Sequence, residues 1–243
     1  MKKLFQFLFV ALFLSIGSAI LCSVGFSPVE SLFIVLGLEL VLLFLKTLLP
    51  KNVSLVTVCG AISGNIAFDC EIPMQSGTRD KAWIINLDDI ESITYATNKM
   101  IVEEIVLKVG KTAYFIDGQN NSIMPKCSLV KLTYTDMYDH IVKMLGFDIS
   151  PTVKENLEGM KNGRYVIITE NVFKGTAGNS AFEIYGLNVG LEITILDKDP
   201  NNQDTQGAFD FTFATNKNKE PKMCLTFFDT NYATTKALIE GLL

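Results

Sequence analysis

One histidine, His140, stands among the 243 residues. A single imidazole excludes any metal site that needs two or more histidines. It also leaves little material for proton transfer near neutral pH. The five cysteines, Cys22, Cys59, Cys70, Cys127 and Cys224, include no Cys-x-x-Cys pair, so a structural zinc would have to gather nearly all of them from distant segments. No Gly-x-Ser-x-Gly elbow, Walker loop or G-x-G-x-x-G fingerprint is present. Charged residues are scarce, at 19%, and no stretch is basic enough for a general nucleic-acid binder. On these grounds no catalytic, cofactor-binding or metal-ligating residue is assigned. No enzyme activity, cofactor or sequence-specific nucleic-acid partner is expected.

Apolar residues are plentiful: 49% hydrophobic, with formal net charge −5 and mean hydropathy +0.30. That is too apolar and too weakly charged for a disordered chain. The excess sits at the N-terminus. Leu4 to Val24 carries no charge, and Ser31 to Leu49 is broken only by Glu39 and Lys46. Phe26-Ser27-Pro28-Val29-Glu30 reads as a turn between them. Each run is about 20 residues, enough at ~1.5 Å per residue to cross ~30 Å of hydrocarbon as a helix.

The simple expectation for residues 1–50 is a hydrophobic helical hairpin. Lys2 and Lys3 precede it, Lys46 and Lys51 close it, and the turn lacks a cation, which places both ends in the cytoplasm. Residues 1–19 also fit a signal peptide, with Gly17-Ser18-Ala19 as the cleavage site. A second apolar run directly behind fits that reading less well. Leu21 before Cys22 argues against a lipoprotein box. The hairpin could also pack into a protein core, or be a leader removed before the protein works. An acid such as Glu39 is costly in lipid, and is expected to be protonated or to meet another helix.

Composition changes after Pro50. Residues 1–50 hold three basic and two acidic residues, leaving 18 and 24 in the remainder, a net of −6. Residues 51–57 read as a linker and 58–243 as a soluble β-rich domain, long enough for one well-buried core. Strands are expected at 84–87, 90–95, 101–109, 112–116, 129–134, 164–170, 181–185, 191–196 and 223–228. Phe209, Phe211 and Phe213 alternate with Asp210 and Thr212, the period of a half-buried strand. Gly110-Lys111 suggests a hairpin joining 101–109 to 112–116. Met137, Ile141, Met144 and Leu145 stand at helical spacing, which predicts a helix over 136–147. Ser150-Pro151 opens a short helix ending near Gly159 to Gly163, and a last helix covers 232–243. The expected class is mainly β with two or three helices (α+β), an antiparallel β-barrel or sandwich.

Local patterns that resemble functional motifs have plainer explanations. Asp136 lies four residues before His140 on the predicted helix, but no nucleophile completes a triad, and a helix-surface histidine is expected. Asp197 to Asp204 alternates acids and amides like a calcium loop. Its sixth position is Asn202 where glycine is needed, and its twelfth is Ala208 where glutamate is needed. The glycines of 175–178 and 186–190 fit turns. Asn52-Val53-Ser54 and Asn120-Asn121-Ser122 match glycosylation sequons. Trp83 is expected in the core. Asp88, Asp89 and Glu91, or Glu103 and Glu104, would have to serve any carboxylate enzyme, but adjacent acids on a strand face opposite ways. The scattered thiols fit reduced cysteines, with a Cys59–Cys70 bridge as the alternative.

Four segments, Ser63 to Cys70, Ala181 to Leu187, Asp204 to Ala208 and Asp229 to Leu238, give residues 59–243 a resemblance. The chain resembles small virion structural proteins of tailed phages and prophages of Bacteroidota, of tail-tube-like type. The resemblance implies a β-barrel or sandwich flanked by a helix, whose copies join edge strands into rings that stack into a tube. The expected partners are copies of itself through β-edge pairing, other virion proteins, and the membrane through residues 4–49. The expected location is the virion, assembled in the host cytoplasm. The alternative is a membrane-anchored protein of the inner membrane with a cytoplasmic binding or scaffold domain. The hydrophobic hairpin departs from the tube pattern.

Overall fold

The computed structural model describes Ile62, residues 64–67 and residues 70–243. The hydrophobic runs, Glu39, the linker, Cys22 and Cys59 lie outside the described residues. The larger compact unit spans Phe68–Leu243. No helix among the described residues is long and apolar enough to cross a membrane.

Among the described residues, eleven strands and two α-helices follow in order. The strands are β1 (Thr78–Asn86), β2 (Ile90–Tyr95), β3 (Ile101–Leu107), β4 (Tyr114–Asp117), β5 (Ile123–Lys131) and β6 (Asp136–Gly146). Helix α1 (Pro151–Gly159) is followed by β7 (Tyr165–Asn171), β8 (Phe182–Tyr185), β9 (Glu192–Asp197), β10 (Phe209–Ala214) and β11 (Leu225–Phe227). Helix α2 (Tyr232–Glu240) ends the chain. One sheet runs β2-β3-β11-β8-β7-β1-β4 and the other β5-β6-β10-β9. All pairings are antiparallel except β11 with β3. The class is therefore mainly β with two α-helices.

The seven-stranded sheet is the middle layer, and its central strands show why. Tyr165 to Glu170 of β7 are buried without a break, the pattern of a strand covered on both faces. Trp83, Ile85, Val166 and Ile168 point to one side, where they pack with Val102, Phe182, Ile184, Phe227 and Ile239 of α2. Ala82, Ile84, Tyr165 and Ile167 point to the other and meet Val142, Met144, Phe211 and Phe213 of the four-stranded sheet. The two sheets share that second core. Both sheets are open, and no closed barrel forms among the described residues, which corrects the barrel half of the expectation. Closure would need the edges of one sheet to meet, and here each sheet keeps two edges.

Two local expectations are overturned. Residues 136–146 form strand β6 where a helix was expected. The helical spacing of Met137, Ile141 and Met144 coincides with a second pattern, since His140, Val142 and Met144 alternate and are buried. Nine register pairs with β5 and six with β10 favour the strand over a weak helix preference. The hairpin across Gly110-Lys111 does not form either. β3 pairs with β2 and β11, while β4 pairs with β1. Gly110 has φ +77, and the Ala113 N–H donates to the Leu242 carbonyl (2.7 Å), so this connection is directed to the C-terminal helix.

Other elements fall close to expectation. The Ser150 hydroxyl caps α1 by accepting from the Val153 N–H, with Pro151 in the first turn. The Asn231 side chain caps α2, accepting from the Thr234 N–H at 3.0 Å. β5 begins six residues earlier than the expected strand at 129, because an edge strand tolerates Pro125.

Candidate functional site: the sheet margins and the polar seams beneath them

Among the described residues, strands β2, β4, β5 and β9 are each paired on one side only. An open edge presents unpaired backbone N–H and C=O groups that another strand can take up. Large apolar side chains stand exposed on these strands: Tyr114 and Phe115 on β4, Met124 and Leu129 on β5, Ile195 and Leu196 on β9. The edges differ in how they are guarded. β4 has Lys81 placed over the Phe115 ring at 4.5 Å. β5 carries Pro125, Lys126 and Lys131. β9 (Glu-Ile-Thr-Ile-Leu-Asp) has no proline or lysine, and acids only at its ends.

His140 lies beneath this surface, and the expectation of a helix-surface imidazole is corrected. It is 2% exposed. Its Nδ1 accepts from the Gly186 N–H (3.1 Å), so Nε2 carries the proton and donates to the Lys222 carbonyl (3.1 Å). Burial lowers its pKa below the ordinary imidazole value, although Glu220 nearby pulls the other way. Asp136 pairs with Lys131 at 2.8 Å.

Glu220, 1% exposed, holds the β8–β9 connection. Its carboxylate accepts from the Asn188 N–H (3.0 Å), the Val189 N–H (2.9 Å) and the Asn188 side-chain amide (2.7 Å). The loop it clamps needs Gly186, whose φ is +76 and where a Cβ would come within 2.6 Å of Leu191. Glu220 sits in a polar run with no periodic signal, so nothing in its neighbours marked it in advance.

Cys127 and Cys224 are half-buried against the core shared by the two sheets, where the Tyr185 hydroxyl donates to Glu183. Burial pushes the Cys224 thiol up to about 12, and Cys127 and Tyr185 upward as well. Protonated thiols are poor nucleophiles, so this cluster acts as a polar seam. An open cleft of about 620 Å³ lies beside it, lined in part by Thr78, Ile123, Asn171, Glu183 and Tyr185. Cys70 is a free, exposed cysteine.

A second buried carboxylate, Glu170, ties α2 to β7. It accepts from the Tyr232 hydroxyl (2.7 Å) and the Lys236 ammonium (3.2 Å), while Lys174 lies 3.5 Å above the Tyr232 ring. Burial pulls the Lys236 pKa down, but its hydrogen bonds to Glu170 and Tyr232 raise it overall.

The remaining sequence candidates are dispersed. Asp88 pairs with Arg164 and Asp89 with Lys111 (2.9 and 3.1 Å). The Asn86 amide, then Lys111, holds the Asp89 carboxyl below the usual range. In the loop after β9, Asp199 and Asn202 accept from their own following backbone N–H groups, as in Asx turns. No group of three or more His, Cys, Asp or Glu side chains is placed to hold a metal ion among the described residues. Neither a known protein family, nor a characterised protein, nor a solved structure matches the chain.

Proposed function

We propose that this chain is a non-enzymatic, self-associating structural subunit that joins copies of itself through sheet edges. The particular form is a tail-tube-like virion protein of a tailed phage or prophage. The observation that carries the reading is the exposure of large apolar side chains along strands paired on one side only. The layered arrangement of two sheets and a covering helix agrees with what the resemblance implies. A net charge of −6 over residues 51–243 suits a conduit wall that does not grip a polyanion.

The test uses the full-length chain in mild detergent, followed by sedimentation velocity and negative-stain microscopy across concentration. Rings or stacked rings are expected. A single monomeric species at every concentration overturns the reading.

The two uncharged or nearly uncharged runs before Pro50 favour a second reading, a membrane-anchored binding or scaffold domain. Under it the chain stays with membranes on alkaline carbonate extraction and is absent from purified particles.

A further inference from the structure

The exposed edges are not interchangeable, and their charges select a pairing. We infer that copies associate head to tail, with β9 of one copy adding antiparallel to the Lys126–Lys131 stretch of β5 in the next, with Asp197 directly opposite Lys126. This inference rests on the self-assembly reading above and specifies its interface.

Strand sense permits the pairing. The four-stranded sheet is antiparallel throughout, in the order β5-β6-β10-β9. An even number of alternating strands leaves β5 and β9 running in opposite directions. A next copy placed in the same orientation therefore continues the alternation across the junction without inversion.

Length and availability agree. The Thr78 hydroxyl already occupies the Ile123 carbonyl (2.5 Å), and Pro125 has no N–H to offer. That leaves Lys126 to Lys131 as the usable edge of β5. It is six residues long, as is β9.

Charge chooses between the alternatives. The usable part of β5 begins and ends on Lys126 and Lys131, while β9 begins and ends on Glu192 and Asp197. Antiparallel β9 with β9 would set acids against acids at both ends. β9 with β5 instead brings Asp197 against Lys126 on one face, while Lys131 at the far end keeps its own partner, Asp136.

The side-chain faces also match. On β6, His140, Val142 and Met144 point inward, so Lys126, registered with Ile141, lies on the outer face. Asp197, registered with Asp210 beside inward-facing Phe209 and Phe211, lies on the same outer face. Asp197 thus stands across from another acid, whose own charge is taken by Lys143 (2.9 Å). A cation from the next copy completes it.

With Asp197 opposite Lys126, Leu196 meets Cys127 on the inner face and Ile195 meets Ser128 on the outer. Thr194 is skipped in the β9–β10 register. The same bulge keeps Ile193 on the inner face with Leu129 and brings Glu192 to the Val130–Lys131 end. Exposed apolar surface on both strands is covered. Because the interface is heterologous, it propagates into a ring or a filament, and does not stop at a dimer.

Charge reversal in the full-length chain tests this by concentration-dependent sedimentation. Lys126→Glu and Asp197→Lys are each expected to weaken association about tenfold, since each sets like charges directly opposite. An equimolar mixture of the two variants is expected to recover assembly, because each then offers the other a complementary edge. The double variant recovers it alone. Asp197→Lys associating more tightly than the parent overturns the pairing in favour of β9 with β9. Assembly indifferent to both substitutions, or a mixture no better than its components, overturns it while leaving self-assembly standing. A parent chain that never associates removes both.

Discussion

His140 is held as a neutral imidazole by two backbone groups that meet it, the Gly186 N–H at one nitrogen and the Lys222 carbonyl at the other. A second proton on Nδ1 would face the Gly186 N–H. Burial lowers the pKa in the folded state, so the unfolded chain binds a proton first as pH falls. Stability is therefore expected to be complete above about 6.5, the ordinary imidazole value, and to decline as pH falls from there toward the lowered folded value. Urea unfolding followed by Trp83, the single, fully buried tryptophan, measures this. His140→Gln should flatten that part of the profile. Glu220 is the neighbouring residue of consequence. Glu220→Ala leaves the Asn188 and Val189 N–H groups without their acceptor in a buried place, and is expected to destabilise the fold by about 2–4 kcal/mol. Glu220→Gln keeps an acceptor and should cost less in the same assay.

At the scale of elements, β10 shows how alternation becomes packing. Phe211 and Phe213 meet edge to face at 5.7 Å, and Phe213 meets Tyr165 of the facing sheet at 5.6 Å. Phe213→Ala removes a fully buried ring from the contact between sheets and is expected to cost about 3–5 kcal/mol in urea unfolding. Asn231→Ala removes the cap of α2 and should cost about 1 kcal/mol, read as a small fall in melting temperature. Both elements were expected beforehand, and β10 shows why: a two-residue alternation is a local signal. β6 was not. Its apolar residues satisfy both periods, and the choice was made by β5 and β10 on either side of it.

At the scale of the whole molecule, the proposed contact between copies joins opposite charges at an exposed margin. Such attractions are screened over about 10 Å at 0.1 M salt. Raising ionic strength from about 0.05 to 0.5 M is therefore expected to weaken self-association, which sedimentation velocity measures directly. The apolar contacts of Leu196, Ile195 and Leu129 should leave residual association at high salt.

Periodicity, caps and composition belong to neighbouring residues, so the chain already declared its β-rich class, the Phe209–Phe213 strand and both helix starts. Strand partners and burial belong to residues far apart in sequence, so only the folded molecule could decide them. It paired β4 with β1 and left β3 to β2 and β11. It turned residues 136–146 into a central strand, buried His140, and brought Glu220 onto a loop some thirty positions away. It also determined which strands end each sheet, and that choice placed the lysines of β5 and the acids of β9 on opposite margins of one sheet.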